Sequence, residues 1–263
     1  MKPFLFLMVV GSVLSVLSSC EDIFSVEIVG DGNVKRLERS VGNYTGLFLD
    51  SDFEVYISQG LAGSLTIEAD SNILSYIVTE VNNGILEIGV KPNFSVVPRN
   101  PVRISFEVAD NLSEVEIING GKVEMDTFFI ETMNVEVYEV SSFKADSMVC
   151  GHLEVLGEGS TNIEVSGSVD TLSVRQIGSG NMKLMGQSLE GELVLEGSGK
   201  IEADELNLLY GDVRLYGSGL ILCRVSGKLK TLIEGNGRIY YYGMPEDLIK
   251  EIVGEGLVLP ADD

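Results

Sequence analysis

The sequence predicts an all-β protein, a right-handed parallel β-helix with coils of about 19 residues. Two observations carry this. The first is a recurring glycine triplet, seen in full at Gly178-Ser179-Gly180, Gly197-Ser198-Gly199, Gly217-Ser218-Gly219, Gly235-Asn236-Gly237 and Gly254-Glu255-Gly256. Weaker copies stand at Gly157-Glu158-Gly159, Asn119-Gly120-Gly121 and Val140-Ser141-Ser142. The third residues of these triplets fall at 121, 142, 159, 180, 199, 219, 237 and 256, in steps of 21, 17, 21, 19, 20, 18 and 19. The second observation is strict alternation on either side of the triplets. Met182 and Leu184, Ile201 and Ala203, Ile221 and Cys223 follow them, while Leu193 and Leu195, Val213 and Leu215 precede them, with Glu, Lys, Arg and Ser between. Apolar residues at every second position are the signature of a strand with one face inward.

A strand, a glycine corner and a second strand cannot bury their apolar side alone, but stacked copies share a continuous core. With neighbouring strands about 4.8 Å apart, eight rungs make a rod of roughly 35–40 Å. Thirty glycines, six prolines and no tryptophan among 263 residues suit a chain of many tight corners. An antiparallel sandwich is the competing architecture. It calls for turn signals every 8–12 residues, whereas the strong signal here returns at about twice that spacing.

The elements follow in order. Residues 1–19 read as a signal peptide: Lys2, then an apolar run from Phe4 to Leu17 that is short for a membrane span. The run ends in Leu17-Ser18-Ser19-Cys20, which resembles a bacterial lipobox and marks Cys20 as the lipidated first residue of the mature chain. By that likeness the lipid on Cys20 joins the protein to a membrane. Glu21 and Asp22 resemble the acidic surface-export signal of Bacteroidetes lipoproteins. Residues 20–33 are expected to be a tether. Residues 34–118 form an N-terminal β region, with alternating segments at Phe53–Ile57, Ser64–Ala69, Ile85–Ile88 and Val102–Val108, and a short helix is expected within 71–81. Whether this region is a second β-helix-like unit or part of the first is open. Residues 119–263 are the repeat. Its expected C-terminal cap begins at Tyr240-Tyr241-Tyr242-Gly243-Met244-Pro245, with a helical turn over 246–251 before a last strand at Leu257–Leu259.

Composition excludes some functions. With 18 Lys+Arg against 40 Asp+Glu and a net charge of −22, the chain lacks the basic footprint of nucleic-acid binding. No catalytic, metal or cofactor motif is present. His152 is the sole histidine and no serine sits in a nucleophile elbow. Cys150, His152 and Cys223 do not have zinc-ligand spacing. The glycine triplets lack the Gly-Lys-Ser/Thr sequence and following helix of a phosphate loop. Glu154, Glu164, Asp170, Glu192, Glu196, Glu202, Asp204 and Asp212 are scattered rather than paired as glycoside hydrolysis requires. A non-catalytic binding or scaffold module is the leading reading, with a glycan or a protein as partner. A polysaccharide-active β-helix enzyme and a part of an envelope assembly stay open beside it. Tyr210, Tyr216, Tyr240 and Tyr242 are the candidate binding residues, since tyrosine rings stack on sugars. Cys150 and Cys223, 73 residues or nearly four coils apart, are too distant for a disulfide.

The segments Phe53-Glu54-Val55-Tyr56-Ile57-Ser58-Gln59-Gly60 and Glu68-Ala69-Asp70-Ser71-Asn72-Ile73-Leu74, the Gly-Ser-Gly repeats and Ile239-Tyr240-Tyr241-Tyr242-Gly243-Met244-Pro245 resemble one family. It is the auto-transporter adhesin, head GIN-domain family of Bacteroidetes lipoproteins, and the likeness spans roughly residues 34–258. It implies a β-helix-like fold, a place in the cell envelope at the outer membrane, and no catalytic residues.

Overall fold

The computed structural model describes residues 25–109 and 111–262. The expected signal peptide, Cys20, Glu21 and Asp22 lie outside the described residues. The described residues contain strands and turns but no helix. Ten short strands come first: β1 (Val26–Val29), β2 (Val34–Ser40), β3 (Gly46–Asp50), β4 (Glu54–Gln59), β5 (Ser64–Asp70), β6 (Ile77–Asn82), β7 (Ile85–Val90), β8 (Phe94–Val97), β9 (Arg103–Val108) and β10 (Glu114–Ile118). Six long ones each trace a coil: β11 (Lys122–Glu139), β12 (Ser142–Gly159), β13 (Asn162–Gly178), β14 (Asn181–Gly197), β15 (Lys200–Gly217) and β16 (Leu220–Gly235). The next coil is split into β17 (Arg238–Tyr242) and β18 (Asp247–Gly254), and β19 (Leu257–Pro260) begins one more on top of β17. Successive coils pair in parallel, giving a β-solenoid of about 7 turns.

The strand phase follows the sequence pattern. One inward row runs Val123, Phe143, Ile163, Met182, Ile201, Ile221, Ile239, Val258, each paired with the next and each buried. A second row, Val115, Val135, Val155, Val174, Leu193, Val213, lines the other arm of each coil. The β11–β12 ladder lapses at Asp126 and Glu131, so a short segment, Thr127–Ile130, separates the two arms.

The corner between coils is set by a column of residues with positive φ: Glu139, Gly159, Gly178, Gly197, Gly217, Gly235 and Gly254. A Cβ on Gly178 would lie 2.7 Å from the Gly159 carbonyl oxygen, so the approach of one coil to the next admits only hydrogen there. This column corrects the phase of the weak triplets. Gly159 takes the place of the first glycine, not the third. By the ladder register the third positions are Gly121, Ser141, Thr161, Gly180, Gly199, Gly219, Gly237 and Gly256, and the uneven early steps become 20, 20 and 19. Ser141 and Thr161 are buried at that place: the Gly120 amide donates to the Ser141 hydroxyl, and the Thr161 hydroxyl donates to Gln176 in the core. Glu139 holds a glycine-type conformation at φ 63°.

The N-terminal region departs from the expected plan in three ways. The question left open, one unit or two, resolves to a single stack, because β2 to β7, β9 and β10 join the same 17-stranded sheet as the coils. Its stacking order is not chain order: β3 lies between β7 and β10, and β4 between β9 and β11, all in parallel pairing. The chain therefore lays down one coil, moves outward through β5 to β9, and returns over it. Second, the helix expected within 71–81 is absent. Residues 71–76 are turns, with the Ile73 amide donating to the Asp70 carbonyl at 2.9 Å, and 77–82 is strand β6, antiparallel to β7. Third, the expected tether includes a strand, since β1 pairs in parallel with β8. Buried Asp70 secures this part by accepting from the Arg99 amide and the Asn100 side chain, both at 2.7 Å.

The cap also lies at the other end. Antiparallel β2, β5, β6 and the 71–76 turns cover the N-terminal side of the stack. At the C-terminal side the expected helical turn over 246–251 belongs to β18, which pairs in parallel with β16, and β19 pairs with β17. The final coil thus continues the solenoid instead of closing it, and its inward Ile252 is 43% exposed. Lys250 occupies the inward row after Val213 and Thr231, donates to the Val258 carbonyl at 3.2 Å and sits 4.8 Å from the Tyr241 ring centre.

Cys150 and Cys223 are free and buried, on β12 and β16. Burial pushes the Cys223 thiol up to about 12.

Three outcomes follow. Ile201→Ala should lower unfolding free energy by about 2–5 kcal/mol, and Lys200→Ala or Glu202→Ala by within about 0.5 kcal/mol, as read by denaturant melts. Gly217→Ala, at φ +125° with its Cβ 2.5 Å from the Gly197 carbonyl oxygen, should cost at least about 1–3 kcal/mol by the same assay. A thiol reagent near pH 8 should label Cys223 slowly in native protein, and unfolding without reductant should reveal both thiols by peptide mass.

Candidate functional site

Outward rows of the long arm build the site. Because coils stack in register, residues some 19 apart become neighbours about 4.8 Å apart. One row reads Asn134, Glu154, Ser173, Glu192, Asp212, Lys230. The row beside it reads Glu136, Leu156, Arg175, Val194, Arg214, Leu232, in which arginine alternates with an apolar residue from coil to coil. A third reads Glu158, Ile177, Glu196, Tyr216. Most of these side chains, from Asn134 and Glu136 to Arg214 and Tyr216, line a groove of about 870 Å³. A second hollow of about 630 Å³ adjoins it, shares Glu154, Ser173, Glu192 and Arg214, and adds His152, Tyr210, Lys228 and Lys230.

The groove's arginines are all paired with carboxylates. The Arg214 guanidinium donates twice to Asp212, at 3.0 and 2.9 Å, and reaches Glu192 of the preceding coil at 2.7 Å. The Asp212 hydrogen bonds, with that carboxylate's charge and that of Glu192, raise Arg214 above its ordinary value. Arg175 donates to Glu196 at 2.6 Å, Lys230 approaches Asp212 at 3.4 Å, and Lys228 approaches Asp247 at 3.3 Å. Such half-exposed pairs add little to stability singly. Their effect is to fix side chains that would otherwise sample many rotamers, so the groove presents ordered donors and acceptors.

The four tyrosines singled out from sequence divide between two surfaces. Tyr210, 49% exposed, and half-buried Tyr216 stand on one arm of β15 and line the two hollows. Tyr240 and Tyr242 lie on β17, beyond the opposite arm of β16. Tyr240 is between Leu222 and Leu259, and the Tyr242 ring centre is 5.4 Å from the Arg224 guanidinium. They do not join the groove. Arg175 and Arg214, which order it, escaped sequence reading. Their signal was spacing by two coils in phase with Val194, visible only once the register is known. Of the scattered carboxylates, Glu154, Glu192, Glu196 and Asp212 come together here. The last three lie against arginine or lysine. Among the described residues no group of three or more His, Cys, Asp or Glu is placed to hold a metal ion.

The other arm carries a different pattern, Glu124, Lys144, Glu164, Lys183, Glu202, with the sign alternating from coil to coil. The hydrogen bond from Lys200, which outweighs partial burial, lowers the Glu202 carboxyl. This ladder is a solvated face whose opposite charges support the stacking.

Comparison with known proteins places the fold. A crystal structure of a "putative adhesin" from Parabacteroides merdae superposes with a TM-score of 0.84 at 18% identity, covering 90% of this chain and 100% of that one. A "putative lipid binding protein" from Parabacteroides distasonis gives 0.83 at 24% identity, with 90% and 100% covered. A further "putative adhesin" from P. distasonis gives 0.82 at 20% identity, with 89% and 100% covered. No curated protein matches the chain. The family model described as "Putative auto-transporter adhesin, head GIN domain" matches residues 43–245, and the chain belongs to that family.

Proposed function

We propose that the protein is a non-catalytic adhesin of the cell envelope, lipid-anchored at Cys20, that presents the lateral groove of its solenoid to a partner. The observation that carries this reading is the groove itself. It is long, built on the rigid stack rather than on loops, and lined by side chains fixed in cross-coil pairs. Sites carried on regular elements hold their geometry better than sites on loops. The adhesin-type family and the similar solved structures agree with a binding role. Charge fits as well: at −22 the chain resists adsorption to anionic lipid heads, so its attachment rests on covalent lipid, and the groove stays free for a partner.

Cys20→Ala tests the anchor. The wild-type protein should fractionate with membranes and carry lipid mass on its N-terminal peptide. The variant should appear soluble or unprocessed. Membrane fractionation unchanged by the substitution, with no lipid on that peptide, refutes the anchor. Cells that express the wild-type protein should adhere to a glycan- or protein-coated surface better than cells that lack it. Equal adhesion, together with turnover of a polysaccharide that is lost on neutralising one groove carboxylate, refutes the binding reading in favour of an enzyme.

A further inference from the structure

Resting on that reading, we propose that the groove over β11 to β16 takes a neutral, hydroxyl-rich glycan chain laid across the coils. The charged polymers that a surface with arginines and lysines first suggests fit it less well.

The pairing pattern decides between ligand classes. Arg175 is committed to Glu196, and Arg214 to Asp212 and Glu192. Lys228 and Lys230 face Asp247 and Asp212. An anionic chain must draw these cations from their carboxylates and then lie beside Glu136 and Glu154 on the same surface. It must also approach a molecule of net charge −22, whose field slows the encounter. A cationic chain meets the converse problem at Arg175 and Arg214. It would moreover be drawn to the whole acidic surface instead of to this groove. Sugar hydroxyls both donate and accept. They can bond to a carboxylate oxygen or a guanidinium N–H that keeps its existing partner, because each group has capacity beyond one bond. Ordered ion pairs are therefore a prepared surface for a neutral polyol.

The apolar parts point the same way. Leu156, Val194 and Ile177 are half-buried on the outward face, and Tyr210 and Tyr216 offer ring faces at its edge. The C–H face of a pyranose is apolar and packs on such rings while its equatorial hydroxyls reach outward. Arg175 and Arg214 stand two coils apart in one row with Val194 between, roughly 9–10 Å. That alternation of polar and apolar contacts suits a polymer whose sugar units repeat along the axis. The volumes, about 870 and 630 Å³ for the two hollows, fall in the range of small-ligand sites and run into each other.

The test uses purified full-length protein in detergent and immobilised linear hexasaccharides of glucose, mannose, galactose or xylose, with uronic-acid and amino-sugar hexamers as charged counterparts. At least one neutral chain should bind, with a Kd that changes less than about threefold between ~0.01 and ~1 M salt. Tyr210→Ala and Arg214→Met should each weaken it by about tenfold or more. Lys144→Ala, on the other arm, should not. Thermal midpoints recorded in parallel identify any variant that fails to fold, and Tyr210→Ala leaves every ion pair in place. Binding confined to charged chains and steep in salt overturns the proposal. So does a panel with no neutral binder. In the latter case, persistent adhesion of expressing cells to a protein-coated surface would leave the adhesin reading standing and remove only the glycan and the groove. Loss of both would remove the two together.

Discussion

Everything in this molecule depends on how closely one coil can lie against the next at the corner. The carbonyl oxygen of each corner glycine points at the glycine above it. A side chain there would stand 2.4–2.7 Å from that oxygen in every coil from Gly159 to Gly254. Because the backbones do meet, amides of one corner reach carbonyls of the previous one, as Ser198 and Gly199 both do to Gly178 at 3.0 Å. That contact fixes the register of the arms on both sides. Register in turn puts Val on Val and Leu on Val inside, and sets which charges face each other outside. A one-residue slip would reverse all of these at once.

Glu139 shows the constraint from the other side. It stands in the glycine column with φ 63° and a full side chain. Its angle lies in the small left-handed region open to ordinary residues, while the glycines beyond it sit at 103–131°. The first long coil has thus found a tolerable variant of the corner, with Ser141 replacing the third glycine and bonding to the Gly120 amide. Thr161 does the same work in the next coil through Gln176. Polar side chains replace missing glycines by satisfying the corner instead of vacating it.

Those substitutions explain what the sequence made legible. From Gly178 onward the triplets are intact, and period, phase and inward rows can be read directly. Before that point the triplets at 140–142 and 157–159 mislead by up to two residues, because Ser141 and Thr161 do not resemble glycine. The N-terminal order was hidden for another reason. Placing β3 between β7 and β10 is a long-range pairing, and alternation in Leu47, Leu49, Leu86 and Ile88 says each is a strand without saying which is its neighbour. Ile73, Leu74 and Ile77 have helical spacing, yet Asp70 is drawn into the Arg99 and Asn100 contacts and the segment turns. The groove was half legible. Tyr210 and Tyr216 stood out by type, whereas Arg175, Arg214 and their carboxylates acquire meaning only as neighbours across coils.

Lys250 has a consequence for the molecule as an object with two ends. A stack of parallel strands exposes a row of unpaired amides and carbonyls at each terminus, and an open row invites another strand. One terminus is overlaid by antiparallel strands. At the other, the inward row that runs through Val213 and Thr231 finishes on an amine held over the Tyr241 ring and the Val258 carbonyl. Any chain seeking to extend the core from that side would have to bury this charge with no carboxylate in the row to meet it. A charge placed on the axis thereby discourages growth of a fibril from the tip, and an open solenoid can remain a discrete rod.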